Sequence, residues 1–254
     1  MLTKVYSAAI EGVDAFPVTI ETVVERGVGF TIVGMADTAV KESYQRIVAA
    51  MNQSGIKFPH RKTVINLAPA DVKKEGASFD LPMAVGVLAS NDLVKSGPLQ
   101  ECMITGELSL DGSVLPVKGV LPIAIKAREM GFKRLIVPMA NVTEAAVVNR
   151  LDVFGVENLP QAVDLINGTA DMKPFVIDTR ELFAKQSGSF DFDFSEVKGQ
   201  EAVKRAFEVA CAGGHNILLV GAPGSGKSMM AKRLPSILPP LTMQEALETT
   251  KIHS

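Results

Sequence analysis

The stretch "NILLVGAPGSGKS", Asn216 to Ser228, decides the architecture of the second half of the chain. Gly221, Gly226, Lys227 and Ser228 satisfy the spacing G-x-x-x-x-G-K-[ST]. The apolar run Ile217 to Val220 predicts a buried strand, and Met229 to Leu234 predicts a helix, so the motif sits at a strand-to-helix junction. The chemistry needs that context. Glycines let the backbone curl until successive N–H groups point inward at phosphate oxygens, and the helix start adds the positive end of its dipole. The expected cradle is Gly221, Ala222, Pro223, Gly224, Ser225, Gly226, Lys227 and Ser228. Lys227 would reach the β- and γ-phosphates of ATP, and the Ser228 hydroxyl would bind Mg²⁺.

Upstream, "FSEVKGQEAVKRAFEVACAGGHN" (Phe194 to Asn216) predicts a turn at Gly199-Gln200 followed by an amphipathic helix. Downstream, 26 residues follow Ser228. They supply a Pro-rich loop and one helix, without a strand ending in an acidic pair and without a candidate arginine finger. The expectation is a nucleotide-binding core that is truncated, binding ATP without turning it over.

The chain has 254 residues, 47% hydrophobic and 21% charged, with a formal net charge of −2. That balance is ordinary for a globular protein and advertises neither a membrane nor a nucleic-acid binder overall. Cys102 and Cys211 lie in or beside apolar runs and read as buried thiols. His60, His215 and His253 have no metal-ligand spacing. The N-terminus lacks the apolar core of a signal peptide, and no run approaches a membrane span, so a cytoplasmic protein is expected.

The first 170 residues alternate strand-like and helix-like patterns, an α/β or α+β signature. Strands are expected at Lys4 to Ile10, Pro17 to Val24, Gly29 to Met35, Lys62 to Pro69, Arg134 to Pro138 and in "LDVFGV". Asp37 reads as the cap of a helix carrying Val40, Tyr44, Ile47, Val48 and Met51, ended by Gly55. Leu81 to Ala89 is an apolar helix with Asp80 as a possible cap and Pro82 in its first turn. Met103 to Val117 reads as a hairpin about Asp111-Gly112, followed by a helix to Gly131. Asn141 and Glu144 fit a capping-box-like start, and Gly168 closes the helix in "LPQAVDLINGT". The expected domains are residues 1–170 and 194–254, with a polar, Gly/Ser-containing linker over 171–193.

Two stretches of the first domain resemble the peptidase domain of Lon-type proteases. "KKEGASFDLPMAVGVLAS" is similar to the segment around the Lon nucleophile, where Ser follows Lys-Asp-Gly-Pro; Lys74-Glu75-Gly76-Ala77 puts Ser78 at that position. "TGELSLDGSVLPVKGVLPIAIKA" is similar to the segment holding the Lon catalytic lysine. There the Lon pattern runs Val-Leu-Pro-Ile-Gly-Gly-Leu-Lys, and this chain runs Val114 to Leu121, with Leu121 in place of the lysine. A serine hydroxyl needs a neighbouring base, leucine has no lone pair, and Lys118 stands three residues away. No peptidase activity is expected, and Ser78 reads instead as a hydroxyl capping the following helix.

The approach segment before the phosphate loop resembles that of AAA+ ATPases, in which the Gly-Gln turn lies near adenine; Gln200 is therefore a candidate nucleotide contact as well as an ordinary helix-start residue. A Lon-like domain followed by an AAA+ core is similar to the ComM/YifB family of Mg-chelatase-like proteins, on "VGMADTAVKES", "RKTVINLAPAD", "KKEGASFDLPMAVG", "GELSLDGSVLPVKGVLP" and "AGGHNILLVGAPGSGKSMMAKRLPSILPPLT". The resemblance implies an ATP-driven homo-hexamer acting on DNA, in one member as a branch-migration helicase of competence. The alternatives are a Lon-type ATP-dependent protease, which Leu121 opposes, and a chelatase-type ATPase subunit remodelling a partner enzyme, which would not need the Lon-like domain. The densest basic cluster is "KFPHRK", Lys57 to Lys62.

Overall fold

The run from Leu2 to Glu25 is rich in apolar and β-branched residues, and Gly12 interrupts it at φ +64°, a left-handed turn position. In the computed structural model, which describes residues 2–59, 61–178, 191–239 and 241–252, this pattern is a hairpin. Strand β1 (Leu2–Glu11) pairs antiparallel with β2 (Asp14–Glu25), Leu2 opposite Val23 and Glu11 opposite Asp14. The chain divides into two units, one of Met1–Ile177 with Thr249–Ser254 and the other of Asp178–Glu248.

The first unit adds β3 (Phe30–Val33), β4 (Lys62–Ala68), β5 (Cys102–Ile104), β6 (Glu107–Leu108), β7 (Val114–Leu115), β8 (Arg134–Pro138) and β9 (Asp152–Val156). Among the described residues, seven strands form one sheet in the order β3-β4-β2-β1-β5-β8-β9. The β1–β2 and β2–β4 pairings are antiparallel; β3–β4, β1–β5, β5–β8 and β8–β9 are parallel. This is a mixed α/β fold with a mostly parallel sheet. The Asp111-Gly112 turn forms as expected, but only β6 and β7 flank it as a small separate ladder, and Cys102–Ile104 joins the main sheet.

Helices α1 (Thr38–Gln53), α2 (Asp80–Ala89), α3 (Val120–Glu129), α4 (Val142–Ala146) and α5 (Leu159–Asn167) accompany the sheet. Asp37 caps α1 as its position predicts, its carboxylate accepting from Val40 N–H at 2.8 Å. Gly168, left-handed, closes α5. All ten residues of α2 are buried, which explains its unbroken apolar sequence. Gly34, at φ +103°, follows β3 so closely against β4 that a Cβ there would lie 2.2 Å from the Leu67 carbonyl oxygen.

Three expected side-chain caps are not made, and for Asp80 and Asn141 the side chain finds a partner in the tertiary structure instead. Phe79, without a side-chain hydrogen bond, is the N-cap of α2, so neither Ser78 nor Asp80 caps it. Asp80 is fully buried and ties three elements together: it accepts from Ser43 Oγ on α1, from Arg46 Nε and Nη2 at 2.5 and 3.0 Å, and from Leu108 N on β6 at 3.3 Å. The pairing holds the Arg46 guanidinium above its ordinary pKa. Asn141 stands at the N-cap position of α4 as expected, but its side chain makes no capping bond; it brackets Val117, accepting from its N–H at 3.0 Å and donating to its carbonyl at 2.9 Å. Cys102 and Cys211 are free and buried, as expected, and burial pushes the Cys102 thiol up to about 12.

Candidate functional site

The second unit is built around Phe194, Val197, Phe207 and Met230, with Val203, Leu219, Leu234 and Ile237 partly buried against them. Phe194 and Phe207 meet edge to face, 5.9 Å between ring centroids. Helices α6 (Glu201–Gly213), α7 (Lys227–Arg233) and α8 (Met243–Lys251) follow in order. Arg233, in the last turn of α7, pairs with Glu196 at 3.0 Å through Nε and lies 5.1 Å over the Phe192 ring. Ser236 accepts from Phe194 N–H at 2.9 Å. The helix after the glycine loop is thereby fixed to the segment that precedes α6, a tie that sequence spacing does not advertise.

Gly199 and Gln200 both take left-handed conformations, φ +69° and +58°, and Gln200 is the N-cap of α6 without a side-chain hydrogen bond. The predicted turn and amphipathic helix are therefore present, and the Gln200 side chain caps nothing. Gly214 ends α6 in a left-handed conformation, and His215 N–H returns to the Ala210 carbonyl at 2.8 Å.

The predicted buried strand at Ile217 to Val220 does not form. These residues run without ladder partners, and Leu218 and Val220 are 85% and 87% exposed. The physical reason is plain: a strand needs a neighbour, and the second unit offers none among its described residues.

The loop itself turns at Pro223 to Gly226, with Gly224 at φ +80° and Gly226 at φ +84°. Both values lie where only glycine sits without strain. Helix α7 then starts at Lys227 itself. The Lys227 ammonium folds back over its own loop, donating to the Gly221 and Ala222 carbonyls at 2.8 Å each and to Ser225 Oγ at 3.3 Å. Three acceptors surround one cation at the mouth of a left-handed glycine turn. A phosphate group fits this donor set, because its oxygens can replace those acceptors one for one. Ser228 is exposed in the first turn of α7.

Ser78 and Leu121 lie in the first unit. Ser78 is half-buried, its carbonyl accepting from Gly106 N–H at 2.9 Å, and its hydroxyl makes no hydrogen bond among the described residues. Leu121 is fully buried on α3, and its backbone N–H donates to Glu144 Oε1 at 3.0 Å. Lys118 is exposed. Lys74 is a fully buried lysine that pattern reading missed. Its ammonium donates to the Pro69 carbonyl, and burial pushes its pKa down against a smaller opposing effect of the Asp71 carboxylate. Its backbone pairs with the end of "VGMAD": Lys74 N–H donates to Met35 O, and Asp37 N–H to Lys74 O. Nothing in a Lys-Lys pair distinguishes the buried lysine from the exposed one.

Residues 20–141 match the family model "Subunit ChlI of Mg-chelatase", and residues 193–254 match "Magnesium chelatase, subunit ChlI". The whole chain is 38% identical to the competence protein ComM of Haemophilus influenzae, covering 50% of that protein, and 39% identical to YifB of Salmonella typhimurium, covering 49%. The chain belongs to the ComM/YifB family. It spans about half the length of the curated relatives it matches. More distantly, 54% of the chain is 28% identical to Lon protease 2 of Bacillus subtilis. The ComM/YifB match runs through both units and so includes the glycine loop, the Gly199-Gln200 turn and the Ser78 and Leu121 positions. No helix among the described residues is long and apolar enough to cross a membrane.

Proposed function

We propose that this chain is the nucleotide-binding front portion of a cytoplasmic ATP-driven machine that acts on DNA as a homo-hexamer when full length. The observation that supports this most directly is the Gly221–Ser228 loop, a left-handed glycine turn with Lys227 held over it. Lys227 would exchange the Gly221 and Ala222 carbonyls for phosphate oxygens, the loop N–H groups would complete the cradle, Ser228 would hold Mg²⁺, and Gln200 would border the adenine. Bound ATP supplies a phosphoryl group for transfer to water. Orienting that water needs a further acidic group. The carboxylates after Ser228 in this chain are Glu245 and Glu248, both on α8 and neither following a strand. The DNA role rests on the competence protein among its relatives.

The first unit would serve this machine without cutting peptides. A Ser-Lys dyad needs a neutral amine within reach of the hydroxyl, and the corresponding position is the buried side chain of Leu121.

Titration with a fluorescent ATP analogue, beside a phosphate-release assay, tests the reading. Charge-assisted hydrogen bonds contribute about 1.5–3 kcal/mol each, so Lys227→Ala should weaken binding by tenfold or more. Equal binding by both chains would overturn the assignment of the loop. Phosphate release that persists unchanged in Lys227→Ala would overturn the assignment of Lys227 to the nucleotide phosphates. Casein cleavage lost in Ser78→Ala would overturn the claim that the first unit is no peptidase.

A further inference from the structure

The basic cluster Lys57 to Lys62 belongs to a larger surface that only the fold assembles. Strand β4 begins at Lys62, opposite Glu25 at the end of β2, and Thr63 N–H donates to the Gly29 carbonyl at 2.9 Å. The loop Arg26-Gly27-Val28-Gly29 and the residues Lys57 to Pro59 and Arg61 therefore meet at one end of the sheet. Arg26, Lys57 and Arg61 are exposed and form no ion pair or side-chain hydrogen bond among the described residues. Lys62 is exposed too, paired at 3.1 Å with Glu25. No acidic residue occurs from Arg26 to Ala36 or from Ser43 to Ala70. In a chain whose net charge is −2, this corner is locally positive with one carboxylate, Glu25, to offset it.

Aromatic rings flank the cations. Phe30, Tyr44 and Phe58, all half-buried, form a continuous trio with centroid separations of 4.6, 5.8 and 6.0 Å. Phe58 is the immediate neighbour of Lys57. Val28 projects beside them, 87% exposed between two glycines at φ +114° and +151°. Unpaired cations for phosphates, together with aromatic surface for bases, are the combination that holds a single nucleic-acid strand. An acidic protein segment would use the cations and leave the aromatic trio without a role.

We propose that Arg26, Lys57 and Arg61, with the Phe30–Tyr44–Phe58 trio, form a contact surface for a single nucleic-acid strand on the first unit. The proposal rests on the DNA role inferred above and goes beyond it by placing a strand contact away from the phosphate loop.

The test is anisotropy titration of the whole chain with labelled 30-nucleotide oligomers at several salt concentrations. The wild type is compared with Arg26→Gln/Lys57→Gln/Arg61→Gln and with a control of equal charge change, Lys118→Gln/Arg128→Gln/Lys173→Gln. Each single-strand phosphate contact adds about 0.7 to the slope of log affinity against log salt. The first triple variant should lower the slope by about 2 and weaken binding at 50 mM salt by ~10- to ~500-fold. The control should leave the slope unchanged. Oligo-dT and oligo-U arms separate DNA from RNA as the source of the strand. The unfolding midpoint and ATP-analogue affinity of the variant should match the wild type, so failure of this surface is read separately from failure of the phosphate loop. No oligomer binding by the wild type overturns the proposal together with the DNA reading. Equal slopes in wild type and first variant overturn the surface alone, as does an equal fall in the control. Equal competition by polyglutamate, or tighter binding of duplex than of single strand, overturns the assignment to a single nucleic-acid strand.

Discussion

Asp80→Ala should destabilise the first unit sharply while leaving the phosphate loop intact. The carboxylate is fully buried and accepts from Ser43, Arg46 and the Leu108 amide, so its removal leaves the guanidinium without its counter-charge, holding only the Ala39 carbonyl and the Ser43 hydroxyl, and takes the side-chain acceptor from the Leu108 amide. Breaking a buried ion pair from one side costs about 3–5 kcal/mol. The Arg46 side chain keeps 19% of its surface in contact with water, which favours the lower figure, about 3 kcal/mol. For a unit of this size that corresponds to a fall in Tm of about 6–12 °C. The readout is selective: Tyr6 and Tyr44 are the two tyrosines, both in the first unit, and the chain has no tryptophan. Urea titration followed by tyrosine fluorescence therefore reports this unit. Asp80→Ala/Arg46→Met should recover at least half of the loss, because the cost lies in the uncompensated charge. A loss below about 1 kcal/mol for Asp80→Ala, at unchanged m-value, would refute the reasoning.

Lys74 has a folded pKa held below its ordinary value of 10.5, so between the two values the fold binds fewer protons than the unfolded chain, and stability rises with pH up to about 10.5. Lys74→Met should raise the urea midpoint at pH 7 and flatten that rise; parallel titrations at pH 7, 9 and 10.5 decide it. Gly34→Ala combines a φ of +103° with a Cβ 2.2 Å from the Leu67 carbonyl, and should cost more than about 2 kcal/mol; an unchanged melting temperature would contradict the close approach. Limited proteolysis should cut first within residues 171–193 and leave a resistant N-terminal fragment; early cuts inside 60–140 would contradict an independently folding first domain.

Patterns set by neighbours in sequence were legible. The strands at Lys4 to Ile10 and Pro17 to Val24, the Asp37 cap, the apolar helix to Ala89 and the Gly168 stop all follow from local backbone chemistry, and the structure carries each of them. The glycine loop was legible because its left-handed turn demands glycine at fixed positions, Gly224 and Gly226. Features decided by partners distant in sequence were not. Asp80 reads as a cap until Arg46 and Ser43 arrive from another helix. Asn141 reads as a cap until Val117 occupies its amide. Ile217 to Val220 read as a buried strand because apolarity signals burial, whereas the burial depends on strands the described second unit does not contain. The cationic corner was half legible: "KFPHRK" stands out in the sequence, but Arg26 joins it only through the β2–β4 pairing.

Helix α2 has no solvent face, and it packs on β1 and β2 of a half-sheet whose four strands, β1 to β4, are all complete by Ala68. During synthesis the chain therefore presents the bare inner side of that half-sheet, Val5, Val18, Ile20 and Ile65 among it, before its cover exists. At ribosomal speeds of about 5–20 residues per second, the gap from Ala68 to Ala89 lasts roughly 1–4 s. Slowing elongation over those codons should lower the yield of folded protein, and a chain interrupted between β4 and α2 should be the aggregation-prone length.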